Sequence, residues 1–323
     1  MKNDITRKFL TALSACAALL LGGCDNLTLL NPKGQIGADE KSIIITATVL
    51  MLLVVVPVII MTFAFAWKYR ASNKQARFDP KWSHSTKIEM VVWLVPCAII
   101  AVLAVITWNT SHTLDPYRPL DSDVKPVRIE AVAMDWKWLF IYPDLHIATV
   151  NQIAVPVNTP INFQITSDSV MNSFFIPQLG SQVYAMAGME TKLHLIANHV
   201  GTYDGISANF SGDGFSDMKF TTLAKSDSDF EAWVKQVKAS PTQLDISAYQ
   251  ALAKPSQNNP VTFYSSVNPQ LYHDILAQYR DGGADAGKAM TMTMTAPDTE
   301  KQAQSGAHMD MNMNVAMHSS TKE

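Results

Sequence analysis

Charge and cysteine are what this sequence has least of. Asp, Glu, Lys and Arg make up 16% of its 323 residues, against about 25% in an ordinary soluble domain. The 25 Lys and Arg nearly cancel the 28 Asp and Glu, leaving a net charge of −3, which excludes the basic footprint of a nucleic-acid binder. Three cysteines are too few for a disulfide scaffold. No nucleophile elbow, phosphate loop or paired-carboxylate motif is present. What the chain does have is apolar residues, 48% of the total, and their placement decides its class.

The apolar excess lies in three N-terminal stretches. Residues 1–23 place Lys2, Arg7 and Lys8 ahead of a stretch too short to span a bilayer, the pattern of a signal peptide. It ends in Leu21-Gly22-Gly23-Cys24, which resembles a bacterial lipobox and makes Cys24 the expected lipidation site. Asp25 resembles the residue that retains such lipoproteins at the inner membrane. A periplasmic segment, 24–42, leads to Ile43–Trp67, 25 residues without a charge, against the roughly 20 a span needs. A second span, 88–108, carries Glu89 as its only charge and ends at Trp108. Trp67 and Trp108 suit the membrane interface, where His84 and His112 also fall. Pro57 and Pro96 inside the spans read as tolerated kinks. Between the spans, the 68–87 loop holds Lys68, Arg70, Lys74, Arg77, Lys81 and Lys87 against Asp79 alone. That asymmetry places the loop in the cytoplasm, and Cys24 and everything after Trp108 in the periplasm.

The periplasmic part, 109–225, has period-two patterning. Strands are expected at Val127–Met134, Trp136–Tyr142, Gln152–Val155, Ile161–Thr166, Ser173–Ile176, Gln182–Met186, Lys192–Ala197 and Met218–Leu223. Eight short strands in about 100 residues predict an antiparallel all-β sandwich or barrel. A helical, aromatic-rich extension over 226–281 follows. Ser228-Asp229-Phe230-Glu231 reads as a capping box before a Phe230, Trp233, Val234, Val237 face. Asp245 caps a helix through Leu252, and Asn268-Pro269 opens a third with Tyr272, Ile275, Leu276 and Tyr279 on one stripe. The remaining 282–323 is low-complexity and expected to be disordered.

A signal sequence, two spans, a periplasmic sandwich and Trp136-Lys137-Trp138 together resemble subunit II of the haem–copper respiratory oxidases, over roughly residues 20–280. The resemblance implies a cupredoxin-like Greek-key sandwich. In the cytochrome c oxidase branch that sandwich holds a dinuclear copper centre in a Cys-x3-Cys-x3-His-x2-Met loop, with another His upstream. Here Ser207 and Ser211 stand at the cysteine positions, Asn209 replaces the glutamate between them, Phe215 replaces the loop histidine and Asn172 the upstream one. Met218 alone matches a ligand. Together with Val170-Met171-Asn172-Ser173-Phe174-Phe175-Ile176-Pro177 and Gly201-Thr202-Tyr203-Asp204-Gly205-Ile206-Ser207, this departure resembles the cytochrome bo-type ubiquinol oxidases, the copper-less branch. Cys16 falls in the signal peptide, Cys24 at the lipidation site and Cys97 in the second span, so no cysteine is left for the sandwich.

The resemblance implies a proton-pumping ubiquinol oxidase that reduces oxygen to water in an aerobic respiratory chain. The expected partners are subunit I, which would carry the haems and copper, smaller membrane subunits, ubiquinol and membrane lipid. No cofactor is expected in this chain and no nucleic acid among its partners. The expected location is the bacterial inner membrane, with the chain a multi-pass lipoprotein. Glu89 reads alone either as an interfacial residue facing headgroups or as a functional carboxylate. The order Glu89, Trp93, Pro96 resembles the family's second span, which implies the mouth of a proton-uptake channel. Trp136 and Trp138 are expected to serve packing or subunit contact, and His194 and His199 to be core or surface histidines. Met290, Met292, Met294, Met309, Met311, Met313 and Met317, with His308 and His318, could bind Cu(I) through soft donors or simply be solvated. A membrane-tethered periplasmic copper-handling lipoprotein with a Met-rich tail is the alternative from another class.

Overall fold

A computed structural model describes residues 27–76 and 80–280. The signal peptide, Cys24, Asp25, Arg77, Asp79 and the Met/His tail lie outside these described residues.

Helix α1 spans Gln35–Lys68 and α2 spans Thr86–Thr113, both running through their prolines, Pro57 and Pro96. At 1.5 Å per residue, the 34 residues of α1 make a rod about 51 Å long, longer than the roughly 30 Å of hydrocarbon. The surplus lies at its N-terminus, which docks on the sandwich. Ile36 is buried there, the Lys33 amide donates to the Gln178 carbonyl at 2.7 Å, and the Asn198 amide donates to the Lys33 carbonyl at 2.8 Å. Gly34 must lack a side chain, since a Cβ there would overlap the carbonyl of Ile196. The apolar windows of both helices bury nothing within the chain itself, so those faces are available to lipid or partner helices.

The β domain has eleven strands: β1 Val127–Met134, β2 Lys137–Tyr142, β3 Ile147–Val150, β4 Gln152–Pro156, β5 Pro160–Ser167, β6 Asn172–Phe175, β7 Val183–Ala185, β8 Thr191–Ile196, β9 Gly201–Ser207, β10 Lys219–Lys225 and β11 Thr262–Tyr264. They form a six-stranded sheet in the order β11-β3-β2-β1-β5-β8 and a five-stranded sheet in the order β4-β10-β9-β6-β7. The expectation of an antiparallel sandwich is corrected in two places: β1 pairs β5 in parallel, and β4 pairs β10 in parallel. Non-local pairing direction leaves no trace in period-two patterning. Three strands, β3, β9 and β11, were not expected. The first is four residues long and the last three, while β9 carries Gly201, Gly205 and Asp204, residues that disfavour strands.

Period two sorts β2 into two faces. Trp138, Phe140 and Tyr142 point into the space between the sheets, where Phe163, Phe174 and Phe220 meet them. Leu139 and Ile141 point to the opposite face of the same sheet. That outer face is buried as well, by helices α4 (Ile246–Leu252) and α5 (Leu271–Arg280) and the segments around them, whereas α3 (Asp227–Lys238) adds Trp233 and Val237 to the core between the sheets. Leu244, Tyr249, Tyr264, Leu271, Tyr272, Ile275 and Leu276 cover Val132, Met134, Leu139 and Ile141. The helical extension therefore packs on its own chain. Its first cap is two residues earlier than expected. Ser226, not Ser228, is the N-cap, its Oγ accepting the Asp229 amide at 3.2 Å and donating to the Asp229 carboxylate at 2.7 Å. Asp245 caps α4 as expected, accepting from the Ala248 amide at 2.8 Å.

Candidate functional site

Strand β6, the end of β9 and the 208–218 loop bring together most of the positions singled out in the sequence. Asn172, Ser207 and Met218 are buried at 2%, 7% and 1% exposure, so each of their polar atoms needs a partner. The Asn172 side-chain amide donates to Ser211 Oγ and to Met218 Sδ, both at 3.1 Å. Its Oδ1 accepts the Ser173 backbone amide at 2.8 Å, which settles the orientation of the side chain. Ser207 Oγ accepts the Trp138 indole N–H at 3.0 Å. Asn209 lies half-exposed and donates to the Met171 carbonyl at 3.2 Å. Phe215 is set apart in a short 3₁₀ turn, Phe215–Asp217, its ring 5.6 Å from that of Phe210.

Trp136 holds this loop from below. It adopts φ +63°, a left-handed conformation unusual for a bulky residue, and this is why β2 begins at Lys137 rather than Trp136. Its indole N–H donates to the Ser211 carbonyl at 3.1 Å. The ring lies so close to Gly214 that a Cβ there would overlap it. Of the two indoles, Trp138 is fully buried core and Trp136 is half-buried against the loop.

Lys137, not foreseen, is fully buried on the outer face of β2 beneath the extension. Its Nζ donates to the carbonyls of Lys254 at 2.9 Å and Asp135 at 3.2 Å and to Ser256 Oγ at 2.7 Å. Burial holds its amine below the usual lysine range. The apolar Leu139 and Ile141 on the same face were the available signal: a strand apolar on both faces buries whatever else it carries.

The donors gathered between Asn172 and Met218 are two hydroxyls, two amides and one thioether, and only the thioether is a soft donor. Among the described residues, no three His, Cys, Asp or Glu side chains gather as a metal site. His194, 8% exposed, has Nδ1 2.9 Å from the Pro116 carbonyl, and His199 accepts the Tyr203 hydroxyl on its backbone carbonyl at 2.6 Å.

Glu89 stands apart from this cluster. It occupies the first turn of α2, exposed, with the 72%-exposed Trp93 one turn on and Pro96 on the same face. From Glu89 to the C-terminal end of α2 at Thr113 is about 36 Å of helix.

Residues 143–224 match the family of the cytochrome c oxidase subunit II periplasmic domain, and residues 238–283 match the cytochrome oxidase aromatic-rich motif. With two apolar helices ahead of a cupredoxin-like sandwich, these define the class as subunit II of a haem–copper oxidase. Among curated relatives, the chain is 65% identical to the cytochrome bo(3) ubiquinol oxidase subunit 2 of Pseudomonas aeruginosa, over 86% of this chain and 83% of that one. It is 55% identical to the ubiquinol oxidase subunit 2 of Acetobacter aceti, over 87% and 92%. A solved structure, the periplasmic domain of cytochrome oxidase subunit II of Bradyrhizobium japonicum, is 23% identical with a TM-score of 0.35, covering 37% of this chain and 96% of that one. The chain belongs to the ubiquinol oxidase subunit II family and is a component of an oxidoreductase complex. Two helices long and apolar enough to cross a membrane, with a domain of the periplasmic family, fit the inner membrane.

Proposed function

We propose that this chain is a copper-free subunit II that assembles with subunit I and smaller membrane subunits into a proton-pumping ubiquinol oxidase. The complex oxidises ubiquinol and reduces oxygen to water, with its haems and copper in subunit I. This chain scaffolds subunit I, supplies Glu89 at the cytoplasmic mouth of proton uptake, and is anchored additionally by lipid on Cys24.

The observation that carries the copper-free reading is the hydrogen-bonding of Asn172. Its amide nitrogen, which has no free lone pair for a metal, donates to both Ser211 and Met218. A dinuclear copper centre needs bridging thiolates and imidazoles; the hydroxyls, amides and phenyl ring here do not fit one. Chemistry supports the same reading. A water-soluble electron donor needs a periplasmic relay, whereas ubiquinol reaches the oxidase within the bilayer.

The test is the optical spectrum and metal content of the complex purified in mild detergent. Haem bands from a co-purifying polytopic subunit and a single copper per complex are expected. Two further coppers would overturn the copper-free reading, and isolation of the chain without a haem-bearing partner would overturn the assembly.

A further inference from the structure

A cavity of about 500 Å³ lies where the first turns of α1, the residues following α2 and strand β8 meet. Its volume is that of a small-molecule site, roughly 300–1,000 Å³. The sequence gives its height in the membrane. The apolar stretch of α1 begins at Ile43 and that of α2 ends at Trp108. The cavity walls Asp39 and Thr113 stand four and five residues beyond those limits, about 6–8 Å along the helices. That is the depth of the headgroup layer, roughly 5–8 Å outside the hydrocarbon.

The walls carry charges of both signs. Arg118 contributes a guanidinium and Asp39, Asp115 and Asp121 contribute three carboxylates. All four side chains are exposed, and among the described residues none of them has an ion-pair partner, the one ion pair being Arg128–Asp144. Asp115 accepts the Tyr117 amide at 2.9 Å and the Arg118 amide donates to the Asp115 carbonyl at 2.9 Å, so the turn that presents these groups is ordered. His194 lines the inner side and is tied to the Pro116 carbonyl.

We propose that this cavity binds the phosphoethanolamine headgroup of a phospholipid in the periplasmic leaflet. The proposal rests on α1 and α2 spanning the membrane, and not on the redox role of the complex. Arg118 suits the phosphate, as a planar fork of donors. The carboxylates suit the primary ammonium, which donates three hydrogen bonds that a quaternary choline cannot. Three acids against one Arg make the site repel a purely anionic headgroup such as phosphatidylglycerol.

The experiment uses the intact purified complex, delipidated and titrated with dihexanoyl phosphatidylethanolamine under native mass spectrometry. One saturable site is expected on the wild type, with dihexanoyl phosphatidylcholine and phosphatidylglycerol competing poorly. Soluble O-phosphoethanolamine should also bind weakly, because the cavity adjoins the ends of the spans, where acyl chains lie. Arg118→Gln and Asp39→Asn should each weaken the lipid about tenfold, the loss of one charge-assisted hydrogen bond. Haem content and subunit ratio report whether each variant has assembled. Absence of saturable binding to the wild type overturns the proposal whatever the variants do, and means that another subunit fills the cavity. Equal binding of phosphatidylcholine or phosphatidylglycerol overturns the headgroup choice. Equally tight O-phosphoethanolamine overturns the lipid as source.

Discussion

The indole nitrogen of Trp138 donates to Ser207 Oγ at 3.0 Å across the interior of the sandwich, joining β2 of one sheet to β9 of the other. The two residues are 0% and 7% exposed. Around the bond, Trp138 packs edge-on against Phe174 at 5.3 Å and Phe220 at 5.8 Å between ring centroids. A hydroxyl at position 207 thus satisfies the one polar atom of the largest core side chain. Position 207 has a structural task in this chain that does not depend on any metal.

Ser207→Ala should therefore destabilise the domain by about 1–3 kcal/mol, the cost of a buried donor left without a partner. Trp138→Phe removes the donor but opens a cavity, at a cost of its own. A double-mutant cycle on urea unfolding of the detergent-solubilised chain isolates the bond. Additive single effects would show that the two groups do not interact.

Lys137 ties the extension to the sandwich by two of its ammonium's three hydrogen bonds, those to Lys254 and Ser256, the third returning to Asp135. Lys137→Met keeps most of the apolar stem and leaves the carbonyls of Asp135 and Lys254 and the Ser256 hydroxyl without their donor. A loss of about 2–4 kcal/mol is expected. It should be concentrated in the extension, so hydrogen–deuterium exchange over 244–280 should accelerate much more than over 127–134. Uniform acceleration would remove the tethering role.

Glu130 lies on the outer face of β1 at 9% exposure. Burial raises its carboxyl from 4.5 to about 7, against the attraction of Arg128 and with the repulsion of Glu190 and Asp144. Between those two values the folded chain keeps a proton that the unfolded chain releases, so stability falls as pH rises through this window and levels off above it. With allowance for solvent screening, about 2 kcal/mol is at stake. Glu130→Gln should flatten the slope between pH 4.5 and 7 and make the protein more stable at pH 8. Parallel pH profiles for the two proteins would assign the slope to other groups.

Local features of the fold were legible in the sequence and non-local ones were not. The apolar runs marked both long helices, and alternation around Trp138 and Phe140 marked the central strands. The two parallel pairings escaped because a strand's sequence does not encode which distant strand lies beside it. The spacing between Asn172 and Met218 pointed to one site, and Asn172, Ser211 and Met218 do touch. The left-handed turn at Trp136 escaped because no glycine or asparagine marks it; its cause lies in Ser211 and Gly214, some 75 residues away along the chain. Lys137 escaped because a lysine normally marks a solvated face, and here the cover comes from residues more than a hundred positions later.

Glu89 is exposed in the isolated chain, so in the membrane it faces lipid headgroups, water or a partner helix. A carboxylate retained at a span is expensive unless it is hydrated or paired, and a proton-uptake mouth provides the hydration. In the assembled oxidase, Glu89→Gln keeps the size and removes the ionisable group, while Glu89→Asp keeps the group on a shorter arm. Glu89→Gln should slow turnover and proton uptake together by about tenfold or more, within the range for loss of a proton-transfer group, with haem content unchanged. Glu89→Asp should recover part of the rate. A purely interfacial Glu89 predicts the opposite pattern: full turnover and full proton uptake in both variants, which would remove the residue from the proton path.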